Sequence, residues 1–166
     1  NASLAGVDEY LNLKLAEKGI DFNVSDMRRA ITKKEGEYNH PKFLLLLIKK
    51  IDEKYPDIPQ YFALTMSTYY VGEIEEDFQI TGLANRYCTS PFDNIALLKK
   101  NIENHFLIDY LQQNWYRENY VGINGMKRLD VNYAAAFLKL AKHYKLAGET
   151  SEFENLKALA LHIAKK

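Results

Sequence analysis

The unbroken apolar run Phe43-Leu44-Leu45-Leu46-Leu47-Ile48 constrains this chain more than any other feature. Pro41 precedes it, and Pro56 and Pro59 follow it. A proline in the first helical turn gives up only an N–H that has no intrahelical partner, while prolines further on stop a helix. The run therefore belongs to one helix, with Leu44, Leu47, Ile48 and Ile51 as its main stripe and Phe43 and Leu46 widening it. A helix this apolar has to be covered from more than one side, so further helices must pack around it. It falls far short of the ~20 apolar residues that cross a bilayer.

The neighbouring segments supply those helices. Leu4–Lys18 has Val7, Leu11 and Leu15 at helical spacing and is closed by Gly19. Asn23 is placed to cap a second helix through Ile31, carrying Met27, Ala30 and Ile31, with a solvated loop over 33–37. Between Pro59 and Ser90 the character changes. Tyr61–Met66 and Leu83–Cys88 are short, aromatic-rich runs that read as strands, and Val71–Phe78 between them reads as a short acidic helix with Val71, Ile74 and Phe78 inward. The two strands are expected side by side, either as a parallel pair with a right-handed crossover or, because the crossover is tight, antiparallel.

Beyond this, Ser90-Pro91-Phe92-Asp93 starts a long helix reaching about Trp115, with Ile95, Leu98, Ile102 and Phe106 inward. Tyr116–Arg128 reads as a loop. Asp130 or Asn132 then caps a helix closed by Gly148, and Ser151-Glu152-Phe153-Glu154 has the form of a capping box for the last one. Phe137, Leu140, Ala141, Tyr144 and Gly148 sit at the spacings of the first helix of a tetratricopeptide repeat. Phe153 and Lys157 fit the second helix less well, and no second copy follows at a ~34-residue period. A generic helical hairpin and a degenerate repeat both remain open.

These elements predict a mainly α fold with a small β element (α+β): helical hairpins plus a two- or three-stranded sheet and a tetratricopeptide-like C-terminal hairpin. Asn1-Ala2 reads as the remnant of an expression tag, and 3–166 as a single domain, helical over 3–56, strand–helix–strand over 57–89, and helical with a terminal hairpin over 90–166. A chain of 166 residues with 47% hydrophobic and 27% charged content can bury roughly two-thirds of its unfolded surface without a staple. Leu47, Ile48, Ile102, Phe137, Leu140 and Tyr144 are expected in the core.

The chemistry-bearing residues point away from catalysis. Basic and acidic residues number 22 each. Binding to nucleic acid or to anionic lipid depends on excess cationic charge, which is absent. Cys88 is the only cysteine, which excludes a disulfide framework and a thiolate zinc site, and it reads as a small buried hydrophobe at a strand end. The four histidines, His40, His105, His143 and His162, show no metal-ligand spacing, although His143 and His162 could approach each other across the last hairpin. Glu73, Glu75, Glu76 and Asp77 read as a solvated helix face, lacking the loop glycine and alternating oxygen ligands of a calcium site. Gly122-Ile123-Asn124-Gly125 reads as a turn and not a phosphate loop, and no G-x-S-x-G elbow occurs. No catalytic residue, cofactor or metal site is therefore expected. The one candidate binding surface is Trp115, Tyr116, Arg117 and Tyr120, to which Tyr69 and Tyr70 could add: aromatic faces flanked by amides and a guanidinium suit a sugar ring or a peptide.

Three segments carry a family resemblance: Pro59-Gln60-Tyr61-Phe62-Ala63-Leu64-Thr65, then Ile74-Glu75-Glu76-Asp77-Phe78, then Thr81-Gly82-Leu83-Ala84-Asn85-Arg86-Tyr87. This order resembles the C-terminal part of a bacterial family of multi-span membrane proteins related to the transmembrane protein O-mannosyltransferases. Members run P-x-Y-F-A-x-T, a short acidic-aromatic helix, G-L-A-Y-R, and then a helix and a tetratricopeptide-like hairpin. The likeness covers about 55–166, with Gln60 in place of a hydrophobe and Asn85 in place of an aromatic. It implies a non-catalytic soluble extracytoplasmic (periplasmic) domain of a membrane-embedded glycosyltransferase-like protein, which supports or presents an acceptor. The implied partners are the membrane-embedded part of its own parent chain and an acceptor protein or glycan. The family's catalytic acidic residue belongs to the membrane-embedded half, so none is carried over. The alternative is a free-standing, cytoplasmic, tetratricopeptide-like helical protein-interaction module.

Overall fold

A computed structural model describes residues 2–36, 39–90, 92–112 and 123–165. Among these, the order is α1 (Ala2–Ala16), α2 (Val24–Glu35), α3 (His40–Lys54), β1 (Gln60–Ala63), α4 (Thr68–Val71), a 3₁₀ segment (Gly72–Asp77), β2 (Phe78–Ile80), β3 (Ala84–Tyr87), α5 (Asn94–His105), α6 (Ile108–Gln112), α7 (Ile123–Ala147) and α8 (Thr150–Ala164). The fold is mainly α with one small sheet. The chain gathers into two compact units. One unit holds residues up to Gln60 together with Ser67–Glu75, and the other holds Tyr61–Met66 and everything from Glu76 on.

In the first unit, α1, α2 and α3 pack in succession. Both loops use asparagine caps: Asn23 Oδ1 accepts from the Asp26 N–H at 3.1 Å, and Asn39 Oδ1 accepts from the Lys42 N–H at 3.0 Å. Gly19 (φ 71°) ends α1 with the Ile20 N–H bonded to the Leu15 carbonyl and the Gly19 N–H to that of Ala16, the paired bonds of a Schellman stop. Val24, Met27, Ile31 and Phe43 form the core, with Leu11, Leu15, Phe22, Leu46 and Leu47 packed on it.

Several sequence expectations shift here. Val7 is exposed, and Asp8 takes the inward place beside Leu11. Ala30 is exposed too. Residues 33–35 continue α2 up to Gly36, because lysines near a helix C-terminus suit the dipole and nothing before the glycine breaks the helix. On α3 the buried side chains are Phe43, Leu45, Ile48 and Ile51, while Leu47 is only partly covered. The apolar arc is wide enough that several registers of the stripe serve.

In the second unit, β3 lies between β1 and β2. The expected neighbours β1 and β3 do pair, in an antiparallel sheet. The strands are shorter than the runs that announced them, and Phe78 belongs to a third strand, not to a helix. The register of β2 on β3 sets Phe78 opposite Tyr87, Gln79 opposite Arg86 and Ile80 opposite Asn85. Phe62, Phe78 and Tyr87 meet edge-on, with centroids 5.2 and 5.8 Å apart. The expected acidic helix is instead a 3₁₀ segment that follows α4 and is itself kinked at Ile74 (φ −127°, ψ 18°). A stretch this short gains little from helix propagation, and the break allows Ile74 to be buried.

The long helix expected from Ser90 to Trp115 is two helices. Asp93, not Ser90, is the cap, its Oδ1 accepting from the Ala96 N–H at 3.0 Å. Phe106 leaves helical geometry (φ −82°, ψ 128°) and sets its ring 5.0 Å from Tyr133 and 5.8 Å from Phe137. Core packing decides that break, since no proline or glycine marks it. α7 and α8 form the terminal hairpin around Leu98, Ile102, Phe137, Leu140, Ala160 and Ile163, with Tyr144 only partly buried at its edge. α7 starts at Ile123, so Asp130 and Asn132 lie inside it and cap nothing, and 123–128 are helix and not loop. Gly125 does not prevent this: a mid-helix glycine costs only ~1 kcal/mol against alanine. α8 starts at Thr150 with Glu149 as a cap residue that makes no side-chain bond, which leaves Ser151 within the first turn and dissolves the capping box. Its entry is fixed instead by Gly148 (φ 80°), where the Glu149 N–H bonds the Tyr144 carbonyl and the Gly148 N–H that of Lys145.

Candidate functional site

The expected contact surface, Trp115, Tyr116, Arg117 and Tyr120, lies outside the described residues, as does Gly122. The other sequence candidates are dispersed. His162 Nε2 is 3.1 Å from the Gln112 carbonyl oxygen, and the His143 ring lies against Tyr144, so each has its own neighbour. Cys88 is half-buried just beyond β3, its N–H bonded to the Asp77 carbonyl at 2.9 Å, and is not the buried residue expected. Glu73, Glu75 and Glu76 are exposed, as a solvated face requires, and Asp77 is partly covered. Ile123, Asn124 and Gly125, expected as a turn, lie in α7. Among the described residues no group of three or more His, Cys, Asp or Glu could hold a metal ion, and no helix is long and apolar enough to cross a membrane.

Among the described residues, the first unit carries a concave surface on α2 and α3. An open cleft of about 430 Å³ is floored by Ala30 and Ile31 of α2 and Leu45 and Leu46 of α3, and edged by Lys34, Lys42, Lys49 and Glu73. A second cleft, of about 420 Å³, shares Lys42, Leu45 and Glu73 with the first and continues past Asn39, Pro41, Thr68, Tyr69 and Tyr70. Together they make one groove with an apolar floor, a lysine-lined end and a tyrosine-lined end. Tyr69 is 72% exposed and stands edge-on to Tyr70 at 5.2 Å. Lys42 and Lys49 are seven residues apart, hence on one face and about 10.5 Å apart along the axis at 1.5 Å per residue. Neither Lys34 nor Lys49 takes part in an ion pair among the described residues.

Behind this groove the first unit is held by a buried ion pair. Asp8 is 4% exposed. Its carboxylate accepts from Arg28 Nε at 2.9 Å, Arg28 Nη2 at 2.5 Å and Ser25 Oγ at 3.1 Å. The guanidinium in turn lies 4.9 Å from the centre of the Phe43 ring. The bond from Arg28 holds the Asp8 carboxyl below the usual carboxylate range; burial pushes the other way, and Ser25 helps lower it. This arrangement ties α1 to α2 and α2 to α3, so the two walls of the groove are fixed relative to each other.

The second unit carries a smaller cleft of about 320 Å³, lined by Leu107, Tyr110, Leu111, Asp130 and Tyr133, with Asp130 buried in α7. Lys99 Nζ lies 5.9 Å from the centre of the Tyr144 ring on this unit, and the neighbouring Tyr144 hydroxyl raises the ammonium above the usual lysine range.

The sequence shows the elements of the groove but not the groove itself. The legible signal was Lys42 and Lys49 at two-turn spacing on either side of the apolar run of α3, a pattern that puts charge at the edge of an apolar surface. Lys34 was hidden by being read as loop. Compared with known proteins, the chain matches no family model, no curated protein and no solved structure.

Proposed function

We propose that this chain is a non-catalytic docking domain, whose groove between α2 and α3 receives an extended or helical segment of a partner protein. The observation that carries this reading is the groove itself: exposed Ala30 and half-covered Leu46 over the buried Ile31 and Leu45, edged by charge and continued by exposed tyrosines, on walls locked by the Asp8–Arg28 pair. Apolar floors with polar rims are what interfaces use, and exposed tyrosine supplies contact area at low conformational cost. Its extent suits the side chains of a peptide laid along it.

The setting we propose is extracytoplasmic, with the domain borne by a multi-span glycosyltransferase-like membrane protein and presenting an acceptor to it. The motif over 59–87 supports this, together with the neighbouring β1 and β3 that its two extended segments form. A cytoplasmic, tetratricopeptide-like interaction module is the competing setting, favoured by Phe137, Leu140 and Ala141 being buried at repeat-like spacing. A parent gene encoding several ~20-residue apolar segments upstream selects the first, and its absence selects the second.

Docking is tested by selecting peptides from a displayed library and comparing their binding to the wild-type chain and to Ala30→Trp. Ala30 is exposed on the groove floor, so an indole there fills the groove without entering the core. Selected peptides should lose at least about tenfold in affinity, or ~1.4 kcal/mol. No selected peptide, or equal binding to both chains, contradicts the reading.

A further inference from the structure

We infer that the segment docked in the α2–α3 groove is acidic and amphipathic, with carboxylates flanking its apolar side chains. This rests on the docking reading above and names its partner class. The apolar floor of Ala30, Ile31, Leu45 and Leu46 takes the apolar side chains, and Lys34, Lys42 and Lys49 stand around it. Lys34 of α2 and Lys49 of α3 edge the same cleft from its two walls, so carboxylates flanking the apolar side chains of a docked segment meet both. Lys34 and Lys49 enter no ion pair among the described residues. The whole chain is neutral, with 22 basic and 22 acidic residues, so this positive edge is a local arrangement and not a reflection of composition. Complementary charge of this kind sets partner choice and register. Glu73 marks the other limit of the lysine-lined cleft. It repels a carboxylate, so the acidic side chains belong toward Lys34 and Lys49 and the uncharged end of the segment runs toward Tyr69 and Tyr70.

The test uses three synthetic amphipathic peptides about four turns long, with leucines at helical spacing and flanking positions filled by Glu, Gln or Lys. Binding to the full chain is read by fluorescence anisotropy. The Glu peptide should bind about tenfold more tightly than the Gln peptide, and the Lys peptide more weakly still. Raising salt from about 0.05 to about 0.3 M should erase the Glu advantage while leaving the Gln peptide unchanged. The doubly reversed variant Lys34→Glu/Lys49→Glu, altered only at exposed positions, should invert the preference, and Glu73→Gln should strengthen Glu-peptide binding. Equal binding of Glu and Gln peptides, abolished by Ala30→Trp, overturns the acidic class but leaves docking intact. Binding by none of the three overturns docking itself. Binding to phosphatidylserine vesicles in preference to the Glu peptide, or concentration-dependent self-association lost in Ala30→Trp, replaces the acidic segment with a membrane or a second copy and also overturns the inference.

Discussion

Replacing Asp8 by alanine removes the acceptor for Arg28 Nε and Nη2 and for the Ser25 hydroxyl, and leaves a guanidinium in a place where its side chain is only 11% exposed. Breaking a buried pair on one side costs about 3–5 kcal/mol, because the remaining charge loses its compensation but stays desolvated. The stacking of Arg28 on Phe43 survives the change, and a little water can reach the guanidinium, which sets the expected loss at the lower end, about 3 kcal/mol. Arg28→Ala strands the carboxylate instead and also gives up the Phe43 contact, adding about 0.5–1 kcal/mol. The double alanine variant should lie well short of the sum, giving a coupling of about 2–3 kcal/mol. Urea unfolding followed by circular dichroism reads this directly. With a slope of about 1–3 kcal/mol per molar, the Asp8→Ala midpoint should fall by about 1–3 M. Losses that add to within about 0.5 kcal/mol would mean that the two side chains do not act as a pair, and the proposed locking of the groove walls would fail with them.

Three further outcomes follow from particular residues. Asp8 titrates below the usual carboxylate range in the folded chain, so the unfolded chain binds the proton first as pH falls. The stability it contributes is whole above the unfolded carboxylate value and drains as pH drops through the lowered folded one; below about pH 4, stability of Asp8→Asn should depend less steeply on pH than wild type, as measured by urea midpoints. Leu140→Ala should cost about 2–5 kcal/mol, since Leu140 is buried in the α7–α8 core, and an unchanged thermal midpoint would contradict that placement. Gly148→Ala should cost about 1 kcal/mol from the positive φ alone, because an added Cβ there meets nothing within 4 Å; a much larger loss in urea unfolding would show that the turn is more crowded than described.

Most of the helices were legible because periodicity and asparagine or glycine punctuation agree in them: Asn23, Gly19, Pro41 and Gly148 each do what their chemistry predicts. What escaped was decided by packing over distance. Val7 and Asp8 are neighbours on α1, and only the arrival of Arg28 from α2 makes the charged one the inward residue. Phe106 breaks a helix because Tyr133 and Phe137 offer its ring a buried place, which no local signal announces. Phe78 fits a helical stripe and a strand equally well, and pairing with Tyr87 settles the matter. The capping box at Ser151 was a valid local pattern overridden by the Gly148 stop, which starts α8 earlier. The groove was the least legible feature. Its lining reads as core in the sequence; Ile31 and Leu45 are buried, and only the exposure of Ala30 and the half-covered Leu46 beside them opens the cleft to solvent.

The docking reading is tested most directly by mapping amide chemical shifts of the isotopically labelled chain as a library-selected peptide is added. Changes should concentrate in Ala30–Lys34 and Lys42–Lys49 and extend to Thr68–Glu73, the walls and far end of the groove. Saturable shifts confined to α5–α8, with those three segments unmoved, would place recognition elsewhere and contradict the assignment of the groove as the docking site.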